Sequence, residues 1–187
     1  MSEPPLDRRE WERRLQAFSD PEFAKSVRAE RDAHYGAAVE TQSQAEHNTR
    51  SIQLRGEIGR ALILIREDNQ LNVRLFRDLL ELVMGCVTVS TADGYEALEL
   101  AYRQAPDLIQ SDIQGPNQSG LEFARLLKAD ARTRHIPLVC VSAWGAGPGG
   151  EAKVLAAGFD AWMAKPIGVP HYLDLIRSYL SPGGCRP

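Results

Sequence analysis

No apolar run in this chain approaches the roughly 20 residues that a helix needs to cross a bilayer. The longer ones, such as Ala61 to Ile65, end after a single strand's length. Met1 to Leu6 lacks the basic and apolar character of a secretory leader, so a soluble, cytoplasmic protein is expected. Neither sign of charge dominates. Twenty-two Lys plus Arg stand against 25 Asp plus Glu, a net −3, which argues against a general grip on nucleic acid or on anionic lipid. Cysteine is scarce: Cys86, Cys140 and Cys185 are odd in number, and the first two sit in strand-like runs rather than at a metal-ligand spacing. Reduced thiols are the expectation. Internal repeats and low-complexity tracts are also missing. What is there, 43% hydrophobic and 25% charged residues over 187 positions, supports one ordinary core and hardly two large ones.

Composition changes near residue 60, which divides the chain into a helical extension or linker over 1–60 and a main domain over 61–187. The first 60 residues hold 10 Lys or Arg and 11 Asp or Glu, so they are charge-mixed rather than a basic arm. Trp11, Leu15 and Phe18 share one helical face, and Asp20-Pro21 reads as the cap and first residue of a second helix carrying Phe23 and Val27. Thr41 to Ser51, nearly devoid of large apolar groups, reads as a polar helix or a flexible linker. Two short amphipathic helices cannot stand alone. Their apolar faces dock either on the main domain or on a second copy of the chain, which would make a homodimer.

From Ala61 onward, short apolar runs alternate with helical periodicity. The runs are Ala61 to Ile65, Cys86 to Val89, Asp107 to Ile109, Ile136 to Val141 and Ala161 to Met163. Helical spacing joins Val73, Phe76, Leu80 and Val83, and a capping box at Asp93-Gly94-Tyr95-Glu96 leads into Ala97, Leu98 and Ala101. Leu121 to Leu127, Ala152 to Ala157 and the series Val169, Leu173, Ile176, Leu180 are the remaining helices. Strict alternation on short connections forces right-handed crossovers and a parallel sheet covered on both faces. The expected fold is a doubly wound, five-stranded α/β domain preceded by an α-helical extension.

In such sheets ligands bind beyond the carboxyl ends of the strands. Glu67 and Asp68 follow strand one, Asp112 strand three, Ser142 strand four and Lys165 strand five. With strand order 2-1-3-4-5, three carboxylates, a hydroxyl and an ammonium share one rim. Three acids so placed repel unless a cation sits among them, and hard oxygen ligands suit Mg²⁺. A magnesium site with a reactive carboxylate is expected.

Glu67-Asp68-Asn69, Pro106-Asp107-Leu108-Ile109, Asp112-Ile113-Gln114 with Pro116 and Gly120, Ile136-Pro137, Ser142-Ala143 and Lys165-Pro166-Ile167 stand in order at characteristic spacing. Together they resemble the receiver domain of two-component response regulators, over about Ala61 to Leu180. The resemblance implies a signalling protein rather than an enzyme. Asp112 would be the phosphoacceptor, served by a sensor histidine kinase or a histidine phosphotransfer protein. Mg²⁺ would be held by Asp68, Asp112 and the backbone carbonyl of Gln114, with Glu67 acting through water. Lys165 and Ser142 would bind the phosphoryl oxygens, Ser142 and Trp162 would form the switch, and a downstream protein would read it. It also implies a cis Lys165-Pro166 bond that aims the ammonium into the site.

Each of these residues alone has a plainer reading: a helix N-terminal acid for Glu67 or Asp68, a turn former for Asp112, a backbone-bonding Ser142, a solvated Lys165, a core Trp162. Their coincidence on four strand ends favours the functional one. The chain also departs from the family pattern. Arg66 stands where an apolar residue is usual, Gln110-Ser111 replaces an apolar pair, and Gly115 stands where Met is commonest. Gly145 to Gly150, with four glycines and a proline, cannot nucleate a helix, so the helix that follows should be short or its entry mobile. These departures keep a second expectation open, a phosphorylation-independent scaffold built on the same fold.

Overall fold

The structure is a computed structural model that describes residues 42–180. The helices expected over 11–27 lie outside the described residues. The polar stretch from Thr41 becomes a helix, α1 (Gln42–Ile58). There follow β1 (Leu62–Arg66), α2 (Gln70–Asp78) running on into a π-helical turn over Leu79–Val83, β2 (Val87–Thr91) and α3 (Gly94–Gln104). Next come β3 (Leu108–Ser111), α4 (Gly120–Ala129), β4 (Leu138–Ser142), α5 (Gly150–Ala156), β5 (Ala161–Ala164) and α6 (Val169–Tyr179). The sheet is five-stranded and parallel in the order β2-β1-β3-β4-β5, as expected.

Alternation along the strands distributes the core. Leu62 and Leu64 of β1 face Ala97, Leu98, Phe123 and Leu127 of α3 and α4, while Ile63 and Ile65 face Phe76, Leu80, Tyr172 and Ile176 of α2, its π turn and α6. Every residue of β1, β2, β3 and β4 is buried, so both faces of these strands are covered and none alternates between core and solvent. The helix starts are closed by short polar side chains. Asn69 accepts from the Leu71 and Asn72 amides, Asp93 from Tyr95 and Glu96, and Ser119 from Leu121. The expected capping box is half present: Glu96 turns instead to accept the Thr91 hydroxyl at 2.6 Å, and that hydroxyl accepts the Asp93 amide at 3.1 Å.

Helix α1 belongs to the same compact unit as the sheet and packs against β2, an edge strand. Its Asn48 carboxamide donates to the Ser90 carbonyl and accepts the Ser90 amide, both at 2.9 Å, so one side chain stands in for a neighbouring strand. Gln44 adds a second donor to the same carbonyl at 2.8 Å, and His47 meets Glu81 at 3.0 Å. An otherwise open row of edge groups is thereby covered. The expectation of reduced thiols fails at one position, since Cys86 is disulfide-bonded. Such a pairing arises from proximity in three dimensions and has no signature in spacing. Cys140 is a buried free thiol whose pKa burial pushes up to about 12. Among the described residues no helix is long and apolar enough to cross a membrane.

Candidate functional site

Register decides where the polar side chains arrive. Arg66 pairs with Ser111 across β1 and β3, and Ser142 pairs with Ala164 across β4 and β5. One step further on stand Glu67, Asp112 and Lys165, tied back by bonds from the Asp112 amide to Arg66 O at 2.9 Å and from the Lys165 amide to Ser142 O at 3.1 Å. Four of the expected side chains therefore meet. Lys165 Nζ donates to Glu67 Oε2 at 2.7 Å and to Asp112 Oδ2 at 2.5 Å. Ser142 Oγ donates to Asp112 Oδ1 at 2.6 Å, and the Gln114 amide reaches the same oxygen at 3.1 Å. The Lys165-Pro166 bond is cis.

Burial gives this group its electrostatics. The Glu67 side chain is 2% exposed and that of Lys165 18%. Desolvation raises the Glu67 pKa, and the Lys165 ammonium, Asn72 and the Asn69 amide only partly oppose it. For Lys165, burial pulls the pKa down, but its bonds to Asp112 and Glu67 outweigh that and the net direction is upward. The ammonium is therefore firmly charged where two carboxylates converge.

The expected metal set is only partly gathered. Asp68 is exposed and enters none of these bonds, and among the described residues no three Asp, Glu, His or Cys side chains stand close enough together to hold a metal ion. Lys165 sits between Glu67 and Asp112 and offsets part of their charge. In chemistry the donors still fit a hard divalent ion. They are carboxylate oxygens, two of them already share a cation, and three carboxylates against one ammonium leave a negative excess.

The residues expected to form a switch are linked to Asp112. Ser142 Oγ accepts the Trp144 amide at 3.1 Å, and half-buried Trp162 donates from Nε1 to the Trp144 carbonyl at 3.2 Å. Ser142 already touches Asp112 in this state. The glycine-rich segment ends in a left-handed Gly149, and α5 spans only seven residues, as its composition predicts.

Sequence reasoning noted Arg66, Gln110-Ser111 and Gly115 as departures from the family pattern without finding their partners, and the structure joins them in two buried networks. Arg66, 1% exposed, donates from Nη1 to Asp112 O at 2.7 Å and to Ser111 Oγ at 3.4 Å, and from Nη2 to Gln118 O. Its Cζ lies 5.8 Å from the Phe123 ring centre. A Cβ on residue 115 would stand 3.0 Å from Arg66 Nη2, so the glycine there makes room for the guanidinium. On the opposite face Gln110 Oε1 accepts the Tyr172 hydroxyl at 2.5 Å, joining β3 to α6. A charge at the end of β1 beside a missing side chain at 115 was the available signal. Gly120 has a separate cause, since a Cβ there would lie 2.5 Å from Asp112 O.

A doubly wound parallel sheet in the order 2-1-3-4-5, with carboxylates after β1 and β3, a hydroxyl ending β4 and an ammonium after the edge strand β5, is a flavodoxin-like fold of the receiver type. The sequence pattern of the response regulator receiver domain matches residues 63–177, well over half of the chain, and the protein belongs to that family. It is 48% identical over 118 residues to the polar-differentiation response regulator DivK of Brucella anthropi, a match that covers 63% of this chain and 94% of the relative. DivK of Brucella ovis matches to the same extent, 48% over 118 residues. Among solved structures it resembles the receiver domain of a sensor histidine kinase from Pseudomonas aeruginosa, which has a magnesium ion coordinated in its active-site cleft. That likeness has a TM-score of 0.59 and 26% identity, covering 64% of this chain and 97% of the other. The chemotaxis response regulator CheY4 of Vibrio cholerae shares the fold, with a TM-score of 0.60, 24% identity and coverage of 65% and 99%. The protein thus carries the receiver domain of a two-component response regulator.

Proposed function

We propose that Asp112 accepts a phosphoryl group from the phosphohistidine of a sensor histidine kinase or a histidine phosphotransfer protein. The observation that carries this reading is the disposition of the Asp112 carboxylate, which meets Ser142 Oγ at 2.6 Å, Lys165 Nζ at 2.5 Å and the Gln114 amide at 3.1 Å. A carboxylate oxygen forms the new bond to phosphorus while the phosphorus–nitrogen bond breaks, and the departing imidazole keeps the electron pair. The obstacle is negative charge meeting negative charge. Lys165 neutralises part of it. Bound Mg²⁺, for which Asp68, Asp112 and the Gln114 carbonyl are the donors with Glu67 behind them, would supply the rest of the charge neutralisation.

The switch then works by a handover. Ser142 and Lys165 exchange the carboxylate for the larger phosphoryl group, and Ser142 carries the Trp144 segment with it through the Trp144 amide. Trp162, bonded to the Trp144 carbonyl, reports that movement to the face formed by α5, β5 and α6. Output passes through contacts with a downstream protein in the cytoplasm, without nucleic acid or membrane. Residues 61–187 form the receiver, and residues 1–60 are an extension through which two copies of the chain could pair, α1 being the part that rests on the sheet.

Beryllofluoride with Mg²⁺ mimics the phosphoryl group and should change the fluorescence of Trp144 and Trp162. Loss of that response in Asp112→Ala supports the proposal; a silent wild type, or an unchanged response in the variant, refutes it. The buried Arg66 and the exposed Asp68 favour a second reading, a phosphorylation-independent scaffold. Partner binding unaffected by Asp112→Asn would select it.

A further inference from the structure

Arg66 holds both ends of the loop that follows the acceptor. One guanidinium nitrogen bonds the carbonyl of Asp112 at 2.7 Å and the other bonds the carbonyl of Gln118. The same loop carries Gln114, and it is pinned a second time where Asn117 Nδ2 donates to Asp93 Oδ2 at 2.5 Å. The guanidinium is buried, yet an apolar side chain could fill its space at lower desolvation cost. Gly115 is kept small to admit it. Two sets of residues thus accommodate one buried charge directly beneath the acceptor.

That charge acts on whatever enters the site. Glu67, Asp68 and Asp112 contribute three negative charges, and Lys165 and Arg66 return two, leaving −1 where a site with an apolar residue at 66 would hold −2. Asp93, fully buried, is the carboxylate that acts most strongly on Arg66 and offsets part of its field. Inside a protein such fields are poorly screened.

Resting on the phosphoacceptor reading above, we propose that Arg66 is a positioning and charge-setting residue that weakens the resting site's hold on a divalent cation and strengthens its hold on the phosphoryl group. The resting domain then carries less metal than its carboxylates alone would draw in, and the arriving phosphoryl group meets a less negative potential than those carboxylates alone would set. This opposite effect on cation and anion separates the role from mere support, because a loosened site weakens both.

The test measures Mg²⁺ alone by titration calorimetry, and beryllofluoride at saturating Mg²⁺ by tryptophan fluorescence, on the full chain. Arg66→Gln should bind Mg²⁺ on the order of tenfold more tightly and beryllofluoride on the order of tenfold more weakly. Arg66→Lys should stay near wild type in both. Asp93→Asn keeps a capping side chain and strengthens the Arg66 field, so it should shift both affinities the other way by a few-fold. If Arg66→Gln does not fold, Asp93→Asn and Arg66→Lys decide. Both affinities falling together, or neither moving by twofold, would overturn the assignment while leaving the phosphoacceptor reading intact. A wild type that gives no Mg²⁺-dependent beryllofluoride response removes that reading and this one with it.

Discussion

Removing the ammonium of Lys165 isolates the electrostatic core of the site. In Lys165→Met, Glu67 Oε2 and Asp112 Oδ2 lose partners at 2.7 and 2.5 Å. Glu67 keeps the Asn69 amide and Asn72 Nδ2, each at 3.2 Å, and Asp112 keeps Ser142 and Gln114. Breaking a fully buried ion pair costs about 3–5 kcal/mol. The Lys165 side chain is 18% exposed, so water reaches the vacated space and a loss of about 2–3 kcal/mol is expected. For a chain of this size that is a fall in Tm of roughly 5–10 °C.

The pH dependence carries the sign. Lys165 has a raised pKa in the fold, so its contribution is full below its ordinary 10.5 and disappears as pH climbs through the folded value. Glu67 also has a raised pKa in the fold, and more so without the ammonium, so the variant takes up a proton on Glu67 more readily folded than unfolded. Its deficit therefore shrinks as pH falls through the folded Glu67 value toward the ordinary 4.5. Urea unfolding of both proteins in EDTA, from pH 5 to pH 9, measures the difference. Adding Glu67→Gln to Lys165→Met should restore most of the loss at pH 8. A variant as stable as wild type at pH 8, or a deficit that Glu67→Gln leaves untouched, would refute the argument.

Gly115→Leu should cost about 1–3 kcal/mol by pressing on Arg66, and Arg66→Val should relieve at least about 1 kcal/mol of it in a double-mutant cycle read by urea unfolding. Tyr172→Phe and Gln110→Leu should each cost about 1–3 kcal/mol by leaving a buried partner unpaired, whereas the double variant should lie closer to wild type than the sum of the two. Asn48→Ala removes both side-chain bonds to the Ser90 backbone and should lower stability by about 1–2 kcal/mol, with hydrogen exchange at the Ser90 amide accelerated ahead of its β2 neighbours.

Alternation of apolar runs with helical periodicity between Ala61 and Leu180 was enough to determine a parallel, doubly wound sheet. Strands buried on both faces are predominantly apolar, and short crossovers leave few topologies. The strand ends alone placed Glu67, Asp68, Asp112, Ser142 and Lys165 at one rim, because in such a sheet the position after a strand is also a position in space, and all but Asp68 meet there. Spacing could not show which rim groups pair. Whether Asp68 points inward or outward, and whether Lys165 lies between two carboxylates, depends on side-chain rotamers and on register across four strands. Arg66, Gln110 and Gly115 read only as irregularities along the chain. Their partners, Gln118, Tyr172 and each other, come from different elements, and a buried polar group acquires meaning only when the group that satisfies it is in view. The polar stretch after Thr41 was equally undecided, because its part of the helix is held by hydrogen bonds to an edge strand more than 30 residues away while Ile52 and Leu54 further along pack on the core, and only the tertiary structure supplies those partners.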